Sequence, residues 1–291
     1  MNRKSFPCLD LLIASFFLVA AHVGAAEPTA FQVQVTGQGD PVIFIPGFTC
    51  PGSVWDATVD AIRSDHQCHV ITIAGFAGTP ASGVEPILAG VRDQLIAYIR
   101  DKQLDHPVIV GHSLGGFLGL WIGEKEPAIA RKLIVVDAPP FLGVYFKPDA
   151  TAETIKPIAE KFRAGMQNDT PEQFRAQSTT FLQKMIGSPD QANRLGEETG
   201  KSDPKVAGEA YYELLTTDLR PDLEKIESPV MVIGALAGKP PTITNERAIA
   251  FIKAQYSGLK RSDFSFFENA HHFVFFDEPD KWIAVLKSAL Q

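Results

Sequence analysis

The sequence predicts an α/β protein in which a doubly wound, mostly parallel sheet carries an inserted helical cap. Short, uninterrupted apolar runs alternate with longer helical stretches along most of the chain, a pattern typical of parallel sheets covered on both faces. One long stretch, 138–225, lacks such a run. With 291 residues, 45% of them hydrophobic, the chain can bury one large core.

The first predicted strand is 31–35, where apolar and polar residues alternate as in a half-buried strand at a sheet edge. A turn at 37–40 leads from it into the next apolar run. The other strands are apolar throughout, as interior parallel strands are, and cover 42–45, 70–73, 108–110, 133–136 and 230–233, with a last strand ending at Phe267. Helices are predicted near 54–64, 86–100, 114–126, 244–256 and 278–290.

The stretch 138–225 is predicted to be a cap of about four helices, inserted into an α/β core formed by 27–137 and 226–291. If this stretch were an ordinary connection between two strands, it would be far longer than such connections typically are. Three helix starts carry a capping residue directly before a proline, and the first two add the glutamine of a capping box: Thr170-Pro171 with Gln173, Ser188-Pro189 with Gln191, and Asp203-Pro204.

Residues 1–26 are expected to be a signal peptide. Arg3 and Lys4 form a positive start, 11–21 an apolar segment, and 22–26 supply small residues for cleavage. The apolar segment is too short to span a bilayer. We therefore expect a protein exported to the periplasm or secreted, without a membrane anchor after cleavage. The net charge of −7 argues against nucleic acid as a partner.

Cleavage would leave Cys50 and Cys68 as a pair in an oxidising compartment, where disulfides form. However, Cys50 follows one predicted strand and Cys68 precedes the next. If these strands are parallel, the two residues lie at opposite ends of the sheet, whereas bridged Cα atoms lie within about 7 Å. We therefore predict two free thiols.

The pentapeptide 111–115 has the pattern G-x-S-x-G and lies between a predicted strand and a predicted helix. Such a turn holds the serine in a strained conformation that exposes its hydroxyl, and the glycines avoid collisions with neighbouring backbone. The following helix begins with free N–H groups that favour a developing anion. Ser113 is therefore the predicted nucleophile.

A serine nucleophile requires a base. Residues 266–273 indicate a strand end that runs into a loop with two histidines, and 277–279 start the last helix. Together with the pentapeptide, this arrangement resembles the α/β-hydrolase superfamily along essentially the whole mature chain. The resemblance implies that His272 is the catalytic base, while His271 stands where the family commonly has glycine. A metal at the histidine pair is disfavoured because no cysteine or carboxylate cluster has ligand spacing. We expect no metal and no organic cofactor.

The acid departs from the commonest pattern of the superfamily. An aspartate usually follows the strand predicted at 230–233, but residues 234–239 contain no acid. Some members carry the acid after the preceding strand of the sheet, and Asp137 occupies that position. A carboxylate there shares a rim with the serine and histidine, so it can fix the imidazole tautomer. Asp137 is the predicted acid, and Asp218 and Asp263 are the weaker alternatives.

Two backbone N–H groups, those of Phe48 and Leu114, are expected to bind the oxyanion. Leu114 directly follows the nucleophile. Phe48 lies in the loop after the strand beside the pentapeptide, where family members usually show His-Gly and Pro46 replaces the histidine. Gly47 lets the backbone of this loop approach the substrate.

These residues predict an exported serine hydrolase that cleaves an ester-type bond, in a carboxylester, thioester or lactone, of a small apolar substrate through an acyl-enzyme. Acyl transfer, perhydrolysis or C–C bond hydrolysis would use the same residues, and a non-catalytic ligand-binding protein on the same fold is a further alternative. The residues do not define the oligomeric state. Most cap aromatics are expected to be core, and the predicted substrate contacts are Phe141, Phe146, Phe174, Phe181 and Tyr211.

Overall fold

The computed structural model describes residue 1 and residues 29–291, so the predicted signal peptide lies almost entirely outside the described residues. The described strands form a seven-stranded sheet in the order β1-β3-β2-β4-β5-β6-β7. All neighbouring strands of this sheet are parallel except β1 and β3. The strands are β1 Phe31–Thr36, β2 Asp40–Ile45, β3 His66–Ile73, β4 Val108–His112, β5 Lys132–Val136, β6 Val230–Ala235 and β7 Ser262–Phe267.

The predicted α/β class is confirmed, since helices cover both faces of this sheet. Alternate residues of each interior strand point to opposite faces. Ile43 and Ile45 of β2 belong to the hydrophobic core under α2 and α3, whereas Val42 and Phe44 belong to the core under α1 and α10. The core helices are α1 Asp56–Ile62, α2 Ile87–Asp101, α3 Leu114–Lys125, α8 Asn245–Gln255, α9 Val274–Asp277 and α10 Pro279–Leu290.

Two local features differ from the predicted elements. The turn at 37–40 connects β1 to β2, but β1 pairs with β3 rather than with β2. The predicted helix at 54–64 begins as a 3₁₀ turn, Gly52–Trp55, and becomes α1 only at Asp56. None of the helices in the described ranges is long and apolar enough to cross a membrane.

The chain between β5 and β6, which is described throughout, contains four α-helices and no strand. Thr170 and Gln173 form the predicted capping box, because each side chain bonds the other residue's backbone N–H. Ser188 and Asp203 also cap their helices with their side chains, but the predicted capping box at Ser188 lacks the return bond from the Gln191 side chain among the described residues. The cap helices are α4 Lys156–Asn168, α5 Pro171–Leu182, α6 Pro189–Thr199 and α7 Pro204–Thr216.

Glu213 on α7 attaches the cap to the core. Its carboxylate accepts hydrogen bonds from the backbone N–H groups of Ile87 (2.5 Å), Leu88 (3.0 Å) and Ala89 (3.2 Å). These residues form the first turn of α2, whose N–H groups have no acceptor within their own helix. Burial raises the pKa of Glu213, and the three N–H donors oppose that effect. The cap therefore satisfies polar groups of the core as well as packing on it.

Cys50 and Cys68 are both free and buried, as predicted. Burial raises the pKa of the Cys50 thiol to about 12 and that of the Cys68 thiol to about 11. Both side chains therefore stay protonated at neutral pH and act as small apolar groups of the core.

We expect the folded protein to resist alkylation of both thiols by iodoacetamide at about pH 8, because only the thiolate reacts. Unfolding in denaturant without a reductant should allow rapid modification of both, and peptide mass spectrometry identifies the labelled sites. Modification that required a reductant would instead reveal a disulfide.

Candidate active site

The carboxyl ends of the parallel strands bring the predicted catalytic residues to one edge of the sheet. Ser113 directly follows β4 and Asp137 directly follows β5, and these strands pair so that His112 is opposite Val136. His272 lies in the loop after β7. Residues separated by up to 159 positions in the chain thus lie at the same edge of the sheet because the strands that precede them run in the same direction.

Ser113 occupies the sharp turn between β4 and α3. Its backbone has φ 53° and ψ −120°, a combination that residues with a Cβ rarely adopt. The Ser113 N–H still donates to the Val136 carbonyl at 2.9 Å. A Cβ on Gly115 would overlap the Ile45 carbonyl oxygen, and one on Gly111 would overlap the backbone of Gly115. The glycines thus allow β2, β4 and α3 to approach closely enough to form this turn.

The imidazole of His272 is hydrogen-bonded to Asp137. Nδ1 of His272 lies 2.6 Å from Oδ2 of Asp137, and the side chains are 20% and 22% exposed. The other carboxylate oxygen accepts the Ala235 N–H at 3.0 Å, while the Asp137 N–H donates to the Ile233 carbonyl at 2.8 Å. The backbone of β6 thus orients the Asp137 carboxylate. β6 is also the strand after which the superfamily that the sequence resembles usually carries its acid.

The two alternative acids lie elsewhere. Both carboxylate oxygens of Asp218 accept hydrogen bonds from the Arg220 guanidinium, at 2.9 and 2.6 Å. Asp263, near the start of β7, is the pairing partner of Met231. It therefore lies at the amino-terminal ends of the parallel strands, whereas His272 lies at their carboxyl ends. Of the three candidates, the structure brings Asp137 to the histidine.

The loop after β2 lies against the serine. A Cβ built on Gly47 would be 3.4 Å from Cβ of Ser113, so glycine permits this close approach. The backbone N–H of the next residue, Phe48, donates no hydrogen bond to another described backbone group. Leu114 is the first residue of α3, where N–H groups have no acceptor in the helix. Neither predicted oxyanion donor therefore uses its N–H in a hydrogen bond between described residues.

The neighbouring Asp277 organises the histidine loop, a role that sequence reasoning missed. Its carboxylate accepts the His271 N–H at 2.8 Å and lies 3.0 Å from Nδ1 of His271. The other oxygen accepts the Gly187 N–H at 2.9 Å. Gly187 lies in the cap between α5 and α6. One buried carboxylate thus joins the histidine loop to the cap, and the Asp-x-Pro spacing near the last helix was the available sequence signal.

His112, inside the pentapeptide, was also missed as a site residue. It is completely buried, and its Nε2 lies 3.0 Å from the carbonyl oxygen of His272. The Ser113 hydroxyl itself makes no hydrogen bond within residues 29–291, so in this structure it is not hydrogen-bonded to His272. The residue before it, His112, contacts the His272 backbone and ring. Among the described side chains, no three histidines, cysteines or acids are grouped so as to hold a metal.

The predicted substrate contacts fall into two groups. Phe141 and Phe174 are only 0% and 4% exposed, and Arg220 covers the Phe141 ring at 4.7 Å. These two side chains are therefore packing residues of the cap in this structure. Phe146 and Phe181 are exposed, and the partly buried Tyr211 contacts the ring of Phe48.

Comparison with known proteins identifies the family of this chain and several relatives. A family model described as "Alpha/beta hydrolase family" matches residues 42–285. The chain is similar to the pimeloyl-[acyl-carrier protein] methyl ester esterase of Nitrosospira multiformis, with 23% identity over 88% of this chain and 96% of that protein. It is also similar to the enzyme of the same name from Vibrio atlanticus, with 26% identity over 88% and 96% of the two chains.

Solved structures share the fold. The enol-lactonase from Burkholderia xenovorans superposes with a TM-score of 0.72 at 13% identity, covering 89% of this chain and 96% of that one. A thermophilic esterase from Thermogutta terrifontis superposes with a TM-score of 0.70 at 17% identity, covering 89% and 92%.

Proposed function

Because the chain belongs to the alpha/beta hydrolase family and is a carboxylesterase-like hydrolase, we propose that Ser113, His272 and Asp137 form the catalytic triad of an ester hydrolase. The observation that carries this proposal is the 2.6 Å contact between Asp137 and His272 at the edge where the strained turn presents Ser113. Relatives named as methyl ester esterases support the same class of bond.

In the first half-reaction, the Ser113 hydroxyl attacks the ester carbonyl carbon and transfers its proton to Nε2 of His272. Nδ1 is occupied by Asp137, so Nε2 is the nitrogen left to act as base. The carboxylate holds the ring in this tautomer and stabilises the imidazolium. Hydrogen bonds between nucleophile and base are often long in free enzymes and tighten when substrate binds.

The tetrahedral intermediate carries its negative charge on the former carbonyl oxygen, which the N–H groups of Phe48 and Leu114 bind. Its collapse breaks the bond to the alcohol, which takes the proton from His272 and leaves Ser113 acylated. Water then attacks the acyl-enzyme with His272 again as base, and the acid product is released. The whole cycle consumes one ester and one water and needs no oxidant or reductant.

We assign an apolar acyl group to the substrate because an aromatic strip leads from Phe48 to the surface of the cap. The ring of Phe48 lies 5.1 Å from that of Tyr211, Tyr211 lies 5.4 Å from Phe162, and Phe162 lies 5.5 Å from Phe146. Phe162 and Phe146 are 38% and 40% exposed, so their faces can accept an apolar group. The strip begins at a residue whose N–H is a proposed oxyanion donor.

We also propose that the enzyme is exported, on the basis of the positive start, apolar segment and small residues within 1–26. N-terminal sequencing of protein recovered from the periplasm or medium should begin at Ala26 or Glu27. Recovery of the uncleaved chain from the cytosol alone would contradict export.

A fluorophosphonate reagent tests the proposed chemistry directly, because it reacts with activated serines. The wild-type protein should be labelled and should hydrolyse simple esters, whereas Ser113→Ala should lose both properties. A well-folded wild type that is neither labelled nor active on a panel of esters, thioesters and lactones would favour a ligand-binding protein.

Asp137→Asn examines the acid in the same assays. Asparagine tolerates the positive φ of this position (47°) and can still accept the Ala235 N–H. Its NH₂ group would then face Nδ1 and impose the wrong tautomer on His272, so we expect kcat to fall by roughly 10⁴-fold without loss of folding. Asp263→Asn, at the opposite sheet edge, is the matched control and should retain activity.

A series of p-nitrophenyl esters with increasing acyl length measures the contribution of the aromatic strip. Each CH₂ buried against it should raise kcat/KM by up to about fourfold. Phe162→Ala should flatten this rise while leaving acetyl ester hydrolysis unchanged. Phe181→Ala is the control, because this exposed ring on α5 makes no ring contact with the strip within the described residues. An unchanged chain-length profile in Phe162→Ala would exclude the strip as the acyl site.

A further inference from the structure

His112 is a buried imidazole that the proposed reaction does not use. It precedes the nucleophile in the chain, and its ring lies 4.5 Å from the ring of His272 and 4.4 Å from that of Phe273. Its Nε2 lies 3.0 Å from the His272 carbonyl oxygen. His112 thus contacts the base through its side chain and is joined to the nucleophile by a peptide bond.

The hydrogen-bond partner fixes the tautomer of His112. A carbonyl oxygen only accepts hydrogen bonds, so Nε2 of His112 carries the proton and donates it. The other nitrogen, Nδ1, is buried without a partner in the described part of the chain. It lies against the loop after β2, since a Cβ on Gly47 would be 2.9 Å from it. His112 therefore touches the loops that carry the base and one oxyanion donor.

The charge state of His112 suits this position. Burial lowers its pKa well below the ordinary histidine value, and the neighbouring His272 acts in the same direction. His272 becomes a cation during the proposed reaction. Because His112 stays neutral, it does not oppose that charge, and its single N–H remains a donor throughout turnover.

The residues on either side of His272 have backbone hydrogen bonds of their own, since the Phe273 carbonyl accepts the N–H groups of Phe276 and Asp277. His271 is held by Asp277, and the Ala270 carbonyl accepts the Ala237 N–H at 3.0 Å. Within the described residues, the hydrogen-bond donor to the His272 carbonyl is Nε2 of His112. This bond therefore restricts the peptide that directly follows the catalytic imidazole.

We propose that His112 is a positioning residue: its Nε2–H holds the His272 backbone so that the imidazole stays aligned between Asp137 and Ser113. The proposal rests on the triad proposed above. It assigns His112 no proton transfer and no contact with substrate, so its loss should reduce kcat rather than raise KM.

Two substitutions of similar length separate the hydrogen bond from packing. His112→Gln retains an N–H donor on an unbranched side chain, whereas His112→Met fills comparable space without a donor. We expect His112→Met to lower kcat by about 10- to 100-fold with little change in KM, and His112→Gln to recover most of that loss. His106→Asn, at an exposed histidine with φ 42°, is the control and should match the wild type.

The low-field proton NMR signal of the His272 N–H bound by Asp137 gives a second measure of alignment. It should broaden or shift in His112→Met and be restored in His112→Gln. Equal loss of kcat in the Gln and Met variants would assign the effect to ring packing and overturn the proposal. Wild-type kcat in His112→Met would overturn it as well.

A measurement on the wild type covers the case in which both variants fail to fold. Nitrogen-15 NMR should show His112 as the neutral Nε2–H tautomer from about pH 5 to 8, the range in which an unperturbed histidine titrates. The Nδ1–H tautomer, which leaves Nε2 without a proton to donate, would overturn the proposal. An inactive and unlabelled wild type would instead contradict the triad, so the two failures are distinguishable.

Discussion

The hydrogen bond between Asp137 and His272 depends on the whole order of the sheet. Asp137 reaches the histidine because β5 lies between β4, which carries Ser113, and β6, which supplies the Ala235 N–H to the second carboxylate oxygen. A shift of one residue in any of these pairings would turn the side chain to the other face. The buried apolar strands therefore do more than stabilise the core, since their register determines where a carboxylate and an imidazole meet.

Much of this arrangement could be predicted because it follows from local chemistry. Apolar runs identified the interior strands, and the glycines of the pentapeptide identified a turn that only residues without a Cβ permit on either side of Ser113. Asp137 could be predicted because the resemblance to the superfamily implies an acid after this strand and because parallel strands end at one edge. The pairing of β1 with β3 could not, because an alternating strand has the same pattern beside any neighbour. The short helix α9 escaped prediction because its four residues, Val274–Asp277, are too few to show a helical repeat.

In the cap as well, features that depend on neighbouring residues were predictable, whereas features that depend on tertiary packing were not. Thr170, Ser188 and Asp203 begin their helices as their side chains predict, because a cap bonds N–H groups only two or three residues away. The environment of each aromatic ring was not predictable. Phe141 and Phe146 lie five positions apart, yet the first is buried beneath Arg220 and the second is exposed. That difference arises from how the cap helices pack on one another, which residue type alone does not specify.

The carboxylate of Asp277 has a consequence for redesign of this protein. It binds the turn between α5 and α6 through Gly187 and the loop that carries His272 through His271. A side chain at position 187 would press against that carboxylate, since a Cβ there would lie 3.0 Å from Oδ1. Grafting a foreign cap to alter substrate range would therefore transmit strain to the loop that carries His272 unless the graft preserved a glycine at this junction.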